Sequence, residues 1–204
     1  MLALALAIVL AAPVEIERVL ALVGTTPVLA SDAELAELAG LVPREEGEDD
    51  DAYRRAVVDA LIALELRWQD LNTAGLRSRV QADLETAWNT VVKRAGGAET
   101  LRARLAAIGL GEAELRALVE RAVVVQAYAV NRFAPFVRPT EDEVETLYRR
   151  ELVPELERSG QLVPQLDEVR AGVEAVVRER KLNVEVERWT AELAARTEVQ
   201  RYVR

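Results

Sequence analysis

Residues 18–35 read RVLALVGTTPVLASDAEL and differ from the Ala-, Leu-, Glu- and Arg-rich sequence that follows them. The stretch Ile16 to Val23, which is apolar from Val19 onward, predicts a β-strand. Gly24-Thr25-Thr26-Pro27 predicts a turn into a second short extended piece, Val28-Leu29. A strand this short needs a pairing partner to be stable, and the rest of the chain has to supply it.

Most of the chain beyond this stretch has helical periodicity. Ser31 and Glu34 have the spacing of a capping box, which places the start of the first helix there. The dense acidic run from Arg44 to Asp51 predicts a solvated loop, because the alternating ligands and turn glycine of a calcium loop are missing. The predicted helices span Ser31 to about Leu41, Ala52 to Gly75, Val80 to Gly96, Leu101 to Ile108, Gly111 to Phe133, Thr140 to Leu152 and about Pro164 to Arg196.

Two of these helices have informative apolar patterns. The helix from Gly111 to Phe133 is apolar around much of its circumference, which is typical of the buried centre of a bundle. In the last helix, the apolar stripe of the first half (Leu166, Val169, Val173, Val176) loses its phase across Arg178 to Lys181. We therefore expect the two halves of that helix to pack against different partners.

The segment from Thr197 to Arg204 alternates polar and apolar residues, which predicts a strand. This strand is the candidate partner for the first one. The predicted fold class is mainly α, a helical bundle with a small β ribbon that pairs the N-terminal strand with the C-terminal strand. Such a ribbon is stable where helices cover it.

Composition argues against several functional classes. The net charge of −9 argues against a nucleic-acid surface, which needs clustered Lys and Arg. Histidine and cysteine are both absent, which removes the most common general base and the usual zinc ligands. The carboxylates fall at helical spacings among Lys and Arg, as on a solvated helix face. We expect no enzyme, no cofactor and no metal.

The segment MLALALAIVLAAP at the N-terminus carries no charged side chain and is too short to span a membrane. It is similar to the apolar region of a secretory signal, with Ala11 and Ala12 near a cleavage point. We therefore expect residues 1–12 to be a signal peptide. An uncleaved apolar tail or a misassigned start codon is the alternative.

Four segments together resemble the non-catalytic part of the SurA-type periplasmic chaperones, a family of parvulin-like peptidyl-prolyl isomerase chaperones. The first is the entry segment RVLALVGTTPVLASDAEL, and the second is the apolar helix VVDALIALELRWQDLNTAGL. The third runs from AGGAETLRARLAAIGL through the long helix to PTEDEVETLY. The fourth is LDEVRAGVEAVVRERKLNVEVERWTAELAARTEVQRYV, which resembles the C-terminal helix and strand. The match spans nearly all of residues Ile16 to Val203.

The resemblance implies a single chaperone domain over residues 13–204, with a helical part at 13–153 and a C-terminal helix and strand at 164–204. In the relatives, isomerase domains are inserted between these two parts, whereas here only about Val153 to Pro164 joins them. The implied function is that of an ATP-independent periplasmic holdase for unfolded exported chains, with outer-membrane protein precursors as typical clients. A homodimer and strand exchange are possible states of such a fold.

Candidate client-binding residues are Phe133, Phe136 and Val137, which lie between prolines where the long helix ends. Alternatively, they fill the bundle core, as aromatic residues at helix ends usually do. Trp68, Trp88 and Trp189 lie on apolar stripes and are predicted to be core; the resemblance places Trp189 beneath the terminal ribbon. Client strands could also add to a free edge of that ribbon through main-chain hydrogen bonds.

Two other functions are compatible with parts of this pattern. An interaction or assembly module would hold one dedicated folded partner instead of many unfolded chains. A prolyl isomerase would accelerate cis-trans exchange at X-Pro bonds, but the stretch in which the relatives carry that domain is too short here to contain it.

Overall fold

The computed structural model describes residues 17–202, so the expected signal peptide at 1–12 lies outside the described residues. The strands are β1 (Val19–Val23), β2 (Thr26–Leu29) and β3 (Val199–Arg201). The helices are α1 (Ala30–Ala39), α2 (Asp50–Thr73), α3 (Leu84–Arg94), α4 (Ala98–Ala107), α5 (Glu112–Phe133), α6 (Glu141–Leu147), α7 (Val153–Arg158) and α8 (Leu166–Arg196). The chain is mainly helical with a small sheet, which confirms the predicted fold class.

Strand β1 is the middle strand of a three-stranded antiparallel sheet with the order β2-β1-β3. Its register with β3 aligns Ala21 with Arg201 and Val23 with Val199, which confirms the predicted pairing of the first and last strands. The ribbon nevertheless has three strands and not two. The second extended piece is longer than Val28-Leu29 and pairs with β1 through a hairpin, because Gly24 adopts the positive φ of 60° that the tight turn needs.

Helix α2 is joined to this sheet by a network of polar side chains. The amide Nε2 of Gln69 donates to the carbonyl oxygen of Val23 and to Oγ1 of Thr26, both at 3.1 Å. The same amide donates to Oε1 of Glu65 at 2.9 Å, and Arg121 of α5 forms an ion pair with that carboxylate at 3.3 Å. Glu65 is buried, so these donors compensate for its lost hydration.

Three predicted helix starts were wrong, each because another residue caps the helix. Helix α1 follows β2 without a loop and begins at Ala30, where Asp32 accepts the backbone N–H of Leu29 at 2.9 Å. Helix α2 begins at Asp50, inside the predicted acidic loop. Asp49 caps this helix, and acidic residues in a first turn are favoured by the helix dipole.

The third helix begins at Leu84 and not at Val80. Asp83 accepts the backbone N–H of Thr86 at 3.0 Å, and this hydrogen bond lowers the pKa of Asp83 below its usual value. Val80 therefore lies in the connection that follows α2. The predicted helix from Thr140 to Leu152 is also modified, since a π-helical turn over Tyr148–Leu152 separates α6 from α7.

The main core lies between the sheet and helices α1 to α5, together with the C-terminal half of α8. Helix α5 packs against α1, α2, α3 and α8, as expected of the central helix of a bundle. Trp88 and Trp189 are buried in this core, and Trp68 is partly buried at its edge. The prediction that the three tryptophans belong to the core is confirmed.

A second, smaller core belongs to the first half of α8. Val144 of α6 packs there with Val173 and Val177 of α8, and the partly buried neighbours are Leu147, Tyr148, Leu152, Leu166 and Val169. The expectation that the halves of the last helix have different partners is thereby confirmed. The predicted stripe residue Val176 is exposed, and Val177 takes the buried position in its place. We call α6, α7 and residues 166–177 of α8 the lobe.

Gly40 ends α1 in a left-handed conformation with φ of 64°, and its N–H donates to the carbonyl oxygens of Ala36 and Glu37. The guanidinium of Arg94 from α3 reaches the same helix end and donates to the carbonyl oxygens of Ala39 and Gly40. A Cβ at position 40 would displace the guanidinium of Arg94 from these carbonyl oxygens. The helix end therefore requires glycine for its left-handed conformation, and a larger residue would also cost the contacts of Arg94.

We predict that Gly40→Ala lowers the free energy of unfolding by about 1–2 kcal/mol, because the substitution adds left-handed strain and displaces Arg94. The matched control is Gly172→Ala, since Gly172 is exposed within α8 and has open space around its Cα. That control should raise the stability by about 0.5–1 kcal/mol. Urea unfolding of both variants checks the pair, and equal effects would contradict the role of Gly40.

Candidate polypeptide-binding surface

The three candidate client-binding residues lie in different environments. Phe133 is partly buried, with its ring centroid 5.9 Å from that of Trp189. Val137 is buried, at 5% exposure, whereas Phe136 is 84% exposed. Of the three, only Phe136 can contact another molecule without a rearrangement of the core.

The backbone around Phe136 is held in place by hydrogen bonds that leave the ring exposed. Helix α5 ends at Phe133, and a short 3-10 turn with Pro135 in its first turn carries Phe136. The backbone N–H of Val137 donates to the carbonyl oxygen of Ala134 at 3.2 Å. From α8, Nζ of Lys181 donates to the carbonyl oxygen of Arg138 at 2.9 Å. The exposed aromatic ring thus sits on a segment that is fixed on both sides.

An aromatic cluster joins the end of α5, just before this turn, to α8. The ring of Trp189 contacts those of Tyr128 and Phe133 at centroid distances of 5.6 and 5.9 Å. The guanidinium of Arg132 lies over all three rings at 4.9 to 5.9 Å, an arrangement that favours cation–π attraction. Nε1 of Trp189 also donates to Asp70 of α2 at 3.1 Å. The end of α5 is therefore anchored to α8 and α2.

Two ion pairs join the middle of α8 to α6 and to the π-helical turn that follows α6. Nζ of Lys181 lies 2.8 and 2.9 Å from the carboxylate oxygens of Glu143, and the hydrogen bond from Lys181 holds the pKa of Glu143 below its usual value. The backbone N–H of Thr140 adds to this effect, because Glu143 and Thr140 form a reciprocal capping box. The predicted start of this helix at Thr140 is confirmed. Arg180 binds Glu151 and similarly lowers the pKa of Glu151.

An open cleft of about 360 Å³ lies between α6 and α8. The apolar side chains of Leu147 and Val177 line it, and the two ion pairs described above form its rim. Its apolar floor and charged rim are features of a surface that can hold an apolar side chain of another molecule. The cleft therefore adds apolar surface close to the turn that carries Phe136.

Sequence reasoning missed two other exposed apolar residues near the junction of α5, α6 and α8, the valines Val130 and Val184. Val184 lies three residues after Lys181, and neighbours at this spacing share a helix face. An apolar residue on the polar face of α8 is the signal that could have identified it. We use the name junction patch for Phe136, Val130 and Val184, exposed apolar residues of α5, of the turn that follows it and of α8.

A second apolar groove, of about 260 Å³, lies between α1, α3 and α5. Leu41, Val91 and Val123 line it, and Arg94 lies at its end. The sequence gives no sign of this groove, because each of its residues belongs to an apolar stripe that reads as core. Its lining residues do not include Phe133, Phe136 or Val137.

Within residues 17–202, no group of three or more acidic residues is arranged to hold a metal ion. No helix in the same range combines the length and the apolar character needed to cross a bilayer. No protein-family model matches this chain, and no curated protein matches it significantly.

We predict that Phe136→Ala leaves the free energy of unfolding within about 0.5 kcal/mol of the wild type, since the exposed ring makes little contribution to the core. Val137→Ala should lower it by about 2 kcal/mol, because it removes buried methyl groups and leaves a cavity. Urea unfolding of the two neighbouring variants measures the difference. A large loss in Phe136→Ala would show that the ring is part of the core.

We further predict a pH dependence for the ion pair of Glu143 and Lys181. The pKa of Glu143 is lower in the folded state than in the unfolded state, so its contribution to stability is present above the unfolded pKa of about 4.3 and is lost as pH falls through the folded value. Glu143→Gln should therefore be less stable than the wild type at pH 7, and the difference should shrink as the pH falls below the unfolded pKa. Thermal unfolding from pH 7 downward measures the difference, with Glu157→Gln as the control, because Glu157 is exposed and its carboxylate forms no ion pair within the described residues. A difference that is independent of pH would contradict the assignment.

Proposed function

We propose that this protein is an ATP-independent chaperone of the SurA type that binds unfolded exported polypeptides in the periplasm. The observation that carries the proposal is the largely exposed Phe136, whose flanking backbone is held by hydrogen bonds. Burial of an aromatic side chain gains roughly 1.5–3 kcal/mol, so a fold that keeps one in water forgoes that stabilisation. An exposed apolar residue on a fixed segment supports a role in contact with another polypeptide.

The surroundings of Phe136 are compatible with many different clients. The junction patch has three exposed apolar residues on separate segments, and the cleft between α6 and α8 has apolar Leu147 and Val177 beside a charged rim. Unfolded chains present apolar side chains at variable spacing, and several small contacts accommodate that variation better than one deep pocket. The net charge of −9 would keep the exposed apolar residues of separate molecules apart.

On this proposal, no nucleotide, metal or isomerase chemistry takes part. The clients would be outer-membrane protein precursors, as the resemblance to SurA-type chaperones implies. The chain joins α6 to α8 through α7 and a short connection, in the place where those chaperones carry isomerase domains. The protein would then act as the chaperone body alone, in the periplasm and after removal of a signal peptide.

The test is light scattering from a urea-diluted outer-membrane β-barrel protein, with stoichiometric protein and without nucleotide. We expect the wild type to suppress aggregation. Phe136→Ser should need roughly ten-fold more protein for half-maximal suppression, because it loses one aromatic contact. Leu162→Ser is the matched control, since Leu162 is 95% exposed at the connection before α8, outside the junction patch.

Failure of the wild type to reduce scattering would contradict the holdase proposal and favour an assembly module with one folded partner. Equal losses in Phe136→Ser and Leu162→Ser would mean that general surface hydrophobicity, and not the junction patch, carries binding.

A further inference from the structure

The two edges of the sheet differ in their hydrogen-bonding capacity. On the β2 edge, Pro27 occupies a position whose backbone nitrogen would point away from β1, and proline has no N–H to offer. The next outward N–H, that of Leu29, already donates to Asp32. The β2 edge therefore presents no available donor along this strand, which is a common protection of edge strands.

The β3 edge, in contrast, presents backbone donors and acceptors that β1 does not use. In its ladder with β1, Glu198 accepts from Gly24 at 2.8 Å and Tyr202 donates to Leu20 at 2.9 Å. Antiparallel strands alternate bonded and non-bonded pairs, so the N–H and C=O groups of Val199 and Arg201 point away from β1. Within the described part of the chain these four groups have no hydrogen-bond partner, and Gln200 and Arg201 are exposed.

The side chains along β3 leave this edge accessible. Gln200 and its neighbours form a ladder on the outer face, where Nε2 of Gln200 donates to Glu198 at 2.6 Å and the hydroxyl of Tyr202 donates to Gln200 at 2.9 Å. On the inner face, Arg201 is held by Asp59 of α2 at 2.8 Å. The side chains are thus fixed above and below the sheet, and none of these contacts crosses the free edge.

A second copy of this chain is a poor occupant of the edge. Two β3 strands paired with each other would align segments of only three residues each. Such a contact is far smaller than the roughly 1,200–2,000 Å² that stable protein interfaces bury. An extended segment of a client held elsewhere on the same molecule is a better occupant, because tethering raises its effective concentration at the edge.

The distance between the junction patch and β3 suits such a tether. Lys181 of α8 contacts Arg138, two residues after Phe136, so the turn lies beside this point of the helix. Strand β3 begins just after the end of α8. At 1.5 Å per residue, the helix between these points is about 24 Å long. A client segment of about eight extended residues covers this length.

We propose that the free edge of β3 binds an extended segment of the client polypeptide by strand addition, through the backbone groups of Val199 and Arg201. The inference rests on the proposed chaperone function and specifies how that function engages clients. The added strand would form a fourth strand of the sheet. Because main-chain groups form the bonds, binding would tolerate many client sequences and favour segments that adopt alternating strand patterns.

The test compares Val199→Pro with Val199→Ala in the full chain. Both variants lose the valine side chain, but only Val199→Pro also loses the outward N–H, and it leaves the ladder with β1 intact. The probe is a fluorescein-labelled ten-residue peptide of alternating valine and threonine, measured by fluorescence anisotropy. We expect Val199→Pro to bind it about five-fold more weakly than Val199→Ala, as for the loss of one hydrogen bond.

Two further measurements separate the possible outcomes. A peptide N-methylated on every residue, which has no N–H to donate to a strand edge, should lose binding, and the unmethylated peptide should slow amide hydrogen exchange at Val199 and Arg201. Equal binding of both peptides, or equal affinity of the two variants, overturns strand addition. Amide protection that depends on protein concentration without peptide means pairing between copies and also overturns it. Light scattering with the wild type tests the chaperone function separately, so a failure of that function is distinguishable from a failure of the edge site.

Discussion

The structure depends on the fact that α8 belongs to two hydrophobic cores at once. Its C-terminal half packs against α2 and α5 through Trp189 and Leu193, and its first half packs against α6 through Val173 and Val177. The helix has 31 residues, which corresponds to about 46 Å. It therefore fixes the position of the lobe relative to the main bundle, and it delivers β3 to the sheet.

The candidate binding surface follows from this arrangement. Lys181 lies between the two cores on α8 and contacts both Arg138 in the turn and Glu143 in α6. Trp189, about two helical turns later in α8, packs against the ring of Phe133. Phe136 projects between these two contacts because its neighbours on each side are bound to the same helix. Exposure of the ring is thus a result of how the surrounding segment is fixed.

Hydrophobic periodicity predicted the helices, the central position of α5 and the pairing of the first and last strands. It could do so because burial repeats along each element with the period of that element. The helix starts at Ala30, Asp50 and Leu84 were harder to predict from the sequence, since several acidic or hydroxyl residues near each start could cap the helix.

The candidate site was harder to predict than the fold. Phe133, Phe136 and Val137 are close in sequence and all apolar, yet one is exposed and two lie in or against the core. Their difference arises from the direction of a single 3-10 turn and from contacts with Trp189 and Lys181, which are far away in the chain. Residue type and local spacing contain no information about those contacts. Val184 was missed for a similar reason, because a single apolar residue on a polar face does not alter a helical pattern.

The central position of β1 also affects the order in which the protein can fold. The hairpin of β1 and β2 is local and can form as soon as the first residues are available, but β3 comes almost at the end of the chain. Until β3 arrives, the side of β1 that will receive it displays unpaired backbone groups next to apolar side chains. Closure of the sheet requires a contact of very high sequence separation, which is slow to form. Newly made molecules therefore pass through a stage in which the middle strand of the finished sheet is an open edge, and in that interval the protein is itself exposed to the mispairing that edge strands invite.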